Sequence, residues 1–126
     1  MVVDTSALLA IFFQESFGPW VSAKLDENQP NLGLSVVNFT ELLILVGDRE
    51  PTRVQNVRRL VETSSVELVP VSIEQAEIAA GARLRYPLNL GDCFAYALAK
   101  DRGAPLLTLD RDFRNCDIEV VLPRVH

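Results

Sequence analysis

Apolar and polar positions alternate along this chain in two rhythms: short unbroken apolar runs, and longer stretches with apolar residues every three or four places. The first run, residues 1–3, predicts a buried strand, and residues 5–14 then suit a helix that Ser16-Phe17-Gly18-Pro19 breaks. A second helix is predicted over 17–27, ended by Asn28 to Asn31 with its Pro30. Residues 32–35 are a strand candidate. Residues 36–48 are apolar at nearly every position, which predicts a helix buried on most sides. Pro51 is placed to open the next helix, with Val54, Val57, Leu60 and Val61 on one face and arginines on the other.

The second half repeats the pattern. Residues 66–71, bounded by Pro70, predict a third strand, and Ser72 is a good N-cap for an alanine-rich helix over 74–84. Arg85 to Asn89 is a loop before another buried helix over 91–102, which Gly103-Ala104-Pro105 stops. Residues 106–109 and 119–122 are the last strands. Strands alternating with helices predict an α/β sandwich with a mostly parallel sheet. There is no internal repeat, linker or low-complexity segment, so residues 1–126 read as one domain.

Composition narrows the class. With 126 residues, 48% hydrophobic and 23% charged, the chain can bury one core and is not disordered. No apolar stretch is long enough to span a bilayer, and the start lacks the basic and small-residue signals of a leader. A soluble cytoplasmic protein with no membrane partner is expected. Cys93 and Cys116 lie in apolar-flanked sequence without metal-ligand spacing, so buried free thiols are expected. The net charge of −5 argues against a module that only binds nucleic acid, because phosphate contacts call for basic surfaces. It does not argue against a metal-dependent nuclease, whose carboxylates contribute to that charge and are offset by cations. A basic partner segment is equally compatible.

Most of the 17 acids lie in plainly solvated stretches, but four places break that rule. Asp4 ends the first strand. Glu41 sits on the otherwise apolar 36–48 helix. Asp92 opens the buried 91–102 helix. Asp110 and Asp112 directly follow an apolar strand. An ionised carboxylate among apolar residues is unfavourable unless paired or hydrogen-bonded. Strand ends and helix starts at one edge of a parallel sheet converge on a crevice. Carboxylates gathered there repel one another and raise their own pKa values, a conflict that a divalent cation removes. Oxygen-only ligands suit Mg²⁺ or Mn²⁺, and the single histidine, His126, is the last residue, which argues against zinc.

Each acid also has a plainer reading. Asp4, Thr5 or Ser6 can simply cap the first helix. Asp92 is a favourable charge at a helix N-terminus, and Asp110 and Asp112 suit a turn. Glu41 has no capping role, but could point outward on a polar stripe with Asn38 and Asp48. It is the four positions taken together that favour a metal site.

The blocks VVDTSALLAI, NFTELLIL, LNLGDCFAYALA and PLLTLDRDF, in this order and spacing, resemble the PIN-domain family, and within it the VapC-type toxins of bacterial toxin–antitoxin pairs. The resemblance runs from Met1 almost to the end, and GDCFAYALA is its most distinctive block. It implies a PIN-like α/β/α sandwich and a Mg²⁺- or Mn²⁺-dependent endoribonuclease that hydrolyses RNA. It further implies a homodimer neutralised by a cognate VapB-type antitoxin, a partner that often reaches an arginine into the acidic pocket. The family's first three acids fall on Asp4, Glu41 and Asp92. The fourth falls on Asp110 or Asp112, since LDRDF offers both. Thr5, Ser6 and Thr108 match the hydroxyl residues that support the cluster. Asp4 and Asp92 are the expected main metal holders, directly or through water.

Among the basic residues, Arg111 and Arg114 flank the fourth acid and are candidates for RNA contact. Arg83, Arg85 and Arg102 are also expected near the crevice edge, whereas Arg58 and Arg59 read as a solvated helix face. The apolar segments 7–13 and 42–46 exceed what one small core demands, which fits a dimer surface, an antitoxin groove or ordinary packing equally. A haloacid-dehalogenase-like phosphatase would need an acid where Ser6 stands. A receiver domain would need a late lysine at a strand end, but Lys100 falls inside a helix. A dinucleotide-binding fold would need a glycine-rich turn after the first strand. The remaining alternative is a catalytically inactive PIN-fold module that only binds a partner.

Overall fold

The computed structural model describes residues 1–124, so His126 lies outside the described residues. Five parallel strands, β1 (Val2–Val3), β2 (Gly33–Ser35), β3 (Glu67–Val69), β4 (Leu106–Leu107) and β5 (Val120–Val121), form one sheet in the order β3-β2-β1-β4-β5. The helices are α1 (Thr5–Phe12), α2 (Gly18–Glu27), α3 (Val36–Arg49), α4 (Gln55–Thr63), α5 (Ile73–Arg85) and α6 (Leu90–Arg102). Successive strand residues face opposite ways. Val3, Leu34 and Leu107 accordingly join a core with α1–α4, while Val2, Val69 and Leu106 join a second core with α5 and α6. The result is the expected α/β/α sandwich.

Local chemistry sets the boundaries. Ser35 caps α3 by accepting from the Val37 amide (3.2 Å), and Ser72 caps α5 by accepting from Gln75 (3.1 Å). Gly103, at φ 60°, ends α6 in the left-handed conformation that glycine tolerates best. α6 is buried over Cys93 and the whole stretch from Ala95 to Leu98 and Ala99, its alanines allowing close approach to the sheet.

Four expectations need correction. Strands predicted over 66–71 and 106–109 shorten to Glu67–Val69 and Leu106–Leu107: Pro70 lacks an amide donor, and although the Thr108 amide still reaches the Val121 carbonyl, those of Leu109 and Asp110 turn to the Ser6 and Thr108 hydroxyls. Pro51 opens a 3₁₀ turn, Pro51–Arg53, and α4 begins after it. α3 is buried on one side only: Leu42 and Val46 are covered, but Ile44 is 64% exposed. Cys93 is buried, whereas Cys116 is half-buried; both are free.

Candidate active site

The strand order reverses direction between β1 and β4, the place where open α/β sheets carry their ligand crevice. β1 delivers Asp4 there and β4 delivers Thr108, Leu109 and Asp110. α3 and the first turn of α6 lean over the same point with Glu41 and Asp92. Asp4, Thr5, Ser6, Leu9, Glu41, Leu45, Asp92 and Asp110 line one small hollow of about 140 Å³. Roomier hollows exist elsewhere, including one of about 440 Å³ beside Trp20 and Arg124, but none of them gathers the acids.

Asp4 is held at one oxygen. The hydroxyls of Ser6 and Thr108 each donate to its Oδ2 at 2.8 Å. Ser6 and Thr108 are locked in turn by the amides of Leu109 (3.0 Å) and Asp110 (2.9 Å). Asp4 Oδ1 is buried and has no hydrogen-bond partner. Burial pushes the Asp4 carboxyl above its ordinary range, and the two hydroxyls offset this only in part.

Asp92 does two things at once. With Asn89 it closes a capping box, its Oδ2 accepting from the Asn89 amide (3.2 Å) while the Asn89 side chain accepts from the Asp92 amide (2.8 Å). The helix-cap reading is therefore correct as far as it goes. Yet burial, then repulsion from Asp4, Asp110 and Glu41, drives the Asp92 pKa up to about 7. Among the described residues, none of the ion pairs involves Asp4, Glu41, Asp92 or Asp110.

Glu41 does not lie on an outward stripe. Its Oε1 accepts from the Thr5 hydroxyl at 2.5 Å and from Asn38 Nδ2 at 3.4 Å. Asn38 is fully buried and Asp48 exposed, so the proposed stripe with Asn38 and Asp48 does not exist. The two candidates after β4 separate cleanly. Asp110 faces the hollow, while Asp112 is exposed in the 3₁₀ turn Arg111–Phe113 and meets Asp110 only by donating its amide to Oδ1 (2.9 Å). Arg111 and Arg114 are exposed on and just after that turn. Arg102 is not at this edge; it pairs with Glu67 (3.6 Å) at the start of β3. Arg85 is engaged with Tyr96, donating to its hydroxyl at 3.1 Å.

The donor set fits a hard divalent ion: oxygen ligands only, an orphaned buried carboxylate oxygen, and mutual repulsion that none of the ion pairs among the described residues relieves. Among the described residues, no group of three Asp, Glu, His or Cys side chains is arranged to hold a metal ion. The sequence reading missed Asn38 and the lining residues Leu9 and Leu45. The three-residue spacing of Asn38 and Glu41 on one helix was the available signal for the first.

The PIN domain pattern matches residues 1–119. A VapC ribonuclease of Mycobacterium bovis is 37% identical, covering 94% of this chain and 96% of that protein, and ribonuclease VapC30 of Mycobacterium tuberculosis is 35% identical over 96% and 98%. The structure superposes on Mycobacterium tuberculosis VapC20, a sarcin–ricin-loop-cleaving toxin, with a TM-score of 0.81 at 18% identity, covering 97% and 98% of the two chains. It also matches a toxin–antitoxin complex from Klebsiella pneumoniae with a TM-score of 0.77 at 24% identity, over 98% and 97%. The chain therefore belongs to the PIN-domain family and, within it, to the VapC ribonucleases. No helix among the described residues is long and apolar enough to cross a membrane.

Proposed function

We propose that this protein is a Mg²⁺- or Mn²⁺-dependent endoribonuclease, the toxin half of a VapB–VapC-type pair. The observation that carries the reading is Asp4: a buried carboxylate oxygen without a partner, in a hollow ringed by Glu41, Asp92 and Asp110 and by no cation among the described residues. Asp4 and Asp92 would hold the ion, with Glu41 and Asp110 completing its surroundings, and part of its shell would remain water, as Mg²⁺ prefers. A bound ion would supply an activated water and neutralise charge building on the phosphate. Ser6 and Thr108 fix the Asp4 carboxylate through its Oδ2 and leave Oδ1 unpartnered. Arg111 and Arg114, exposed beside Asp110, draw RNA phosphates toward it.

Beside the acids lies an apolar groove of about 400 Å³ lined by Val37, Thr40, Glu41, Ile44, Leu45, Leu90 and Gly91, with Leu90 68% exposed. An antitoxin segment is its proposed occupant, and a second copy of the chain is proposed to complete the toxin. The apolar residues of α1, by contrast, are largely core.

The test is cleavage of a mixed RNA pool with Mn²⁺. Asp4→Asn and Asp92→Asn should each lower cleavage by on the order of 10²–10³-fold or more, and EDTA should abolish it. Asp110→Asn should cost about 10-fold, but Asp112→Asn no more than about 3-fold, because Asp110 lines the hollow and Asp112 is exposed outside it. Cleavage unaffected by Asp4→Asn and Asp92→Asn would place the activity elsewhere.

A further inference from the structure

Glu41 is half-buried on α3, and its carboxylate meets three elements. Thr5 of α1 donates to Oε1. Asn38, one turn earlier on α3, presents Nδ2 to the same oxygen at 3.4 Å and donates to the Gly91 carbonyl at 2.9 Å. The third element is α6, where the Glu41 carboxylate lies over Gly91. A Cβ at Gly91 would collide with Glu41 Oε2 and stand 2.8 Å from its Cδ and 3.0 Å from Oε1. The carboxylate occupies the space that a side chain at 91 would fill. Gly91 precedes Asp92, so the Asn38–Gly91 bond ties the helix bearing Glu41 to the turn bearing Asp92.

We propose that Asn38 and Gly91 form a positioning seat that fixes the Glu41 carboxylate relative to Asp92 and thereby sets the affinity of the site for a divalent ion. The inference rests on the metal-site reading and deepens it. Stability accounts for only part of the seat. Asn38 Oδ1 is fully buried with no partner, an arrangement that costs stability. Leucine there would remove that cost, but it would also strip the Gly91 carbonyl of its donor and crowd a fully buried site with a larger side chain. Gly91 adopts no left-handed backbone, and alanine is the better helix former in the first turn of α6. Glu41 is the far end of a flexible chain, so an added methyl moves the carboxylate cheaply rather than straining the backbone.

Stability and metal binding should therefore move apart in Gly91→Ala. Mn²⁺ affinity, read from the free-ion electron paramagnetic resonance signal, and melting temperature would be measured for the wild type, Asn38→Leu, Gly91→Ala and Asp4→Asn. Gly91→Ala should melt no lower than the wild type and Asn38→Leu lower, yet both should bind Mn²⁺ about 10-fold more weakly, the scale of loss typical when a ligand's support is removed. With RNA, kcat should fall while KM stays within about 2-fold. Wild-type Mn²⁺ affinity in both variants would overturn the seat while leaving the metal site standing. If Asn38→Leu fails to fold, Gly91→Ala decides alone. A wild type whose Mn²⁺ binding Asp4→Asn does not weaken would overturn the metal-site reading itself, and the seat with it.

Discussion

The two ends of α6 treat their acids in opposite ways. At the first turn, Asp92 is buried among Asp4, Glu41 and Asp110, and its pKa rises to about 7. At the far end, Asp117 accepts a hydrogen bond from the Tyr96 hydroxyl and pairs with Lys100 at 2.9 Å, and its pKa falls to about 2. Both are aspartates against one helix. The far end is electrostatically finished, since Lys100 and the Arg102–Glu67 pair bring acids and bases together. At the near end, none of the ion pairs among the described residues reaches Asp92 or its acidic neighbours. It is this raised Asp92 pKa among neighbouring acids that the proposed ion site builds on.

The largest effect expected from this contrast comes from Asp92→Asn. It should remove cleavage and at the same time stabilise the ion-free protein at pH 8 by about 1–3 kcal/mol, seen as a melting temperature several degrees higher. A catalytic loss that came with loss of stability would make Asp92 merely structural.

The pH dependence of ion-free stability is the next effect in size. The folded Asp92 pKa of about 7 exceeds its ordinary 3.8, so the fold favours the protonated form. That contribution is complete below about pH 4 and is lost as pH rises through about 7. Thermal melts in EDTA should therefore show stability declining from pH 5 to pH 8, with a shallower decline in Asp92→Asn. Asp117 has the opposite sign. Its lowered pKa gives a contribution present above about pH 4 and lost as pH falls toward 2.

The smallest effect is that of Asp117→Asn. The pair it breaks is exposed at the surface and screened by solvent, so the cost should stay under about 1 kcal/mol, with Mn²⁺-dependent cleavage unchanged. A matching loss of activity would mean that the two ends of α6 are coupled.

Much of this was legible in the sequence because the relevant signals are local. Ser35, Ser72 and Gly103 mark helix boundaries by chemistry that needs no tertiary context, and Asp4 after an apolar run points to a strand end. What was hidden depended on packing. Asn38 read as part of a polar stripe because nothing in the sequence shows that the turn before Asp92 sits on that face of α3. Strand lengths were overestimated because apolar runs continue past the last paired residue. Arg102 was recoverable by arithmetic: ten helical residues beyond Asp92 place it roughly 15 Å away, at the other edge of the sheet. The choice between Asp110 and Asp112 depended on a 3₁₀ turn that directs one acid inward and the other to solvent.

The central claim is that a divalent ion relieves the repulsion among Asp4, Glu41, Asp92 and Asp110. Thermal melts at pH 8 with EDTA and with saturating Mn²⁺, for the wild type and Asp92→Asn, test it most directly. Mn²⁺ should raise the wild-type melting temperature by several degrees, as any ligand that binds only the folded state must, and should barely move that of Asp92→Asn. An equal rise in both proteins, or none in the wild type, would contradict the account.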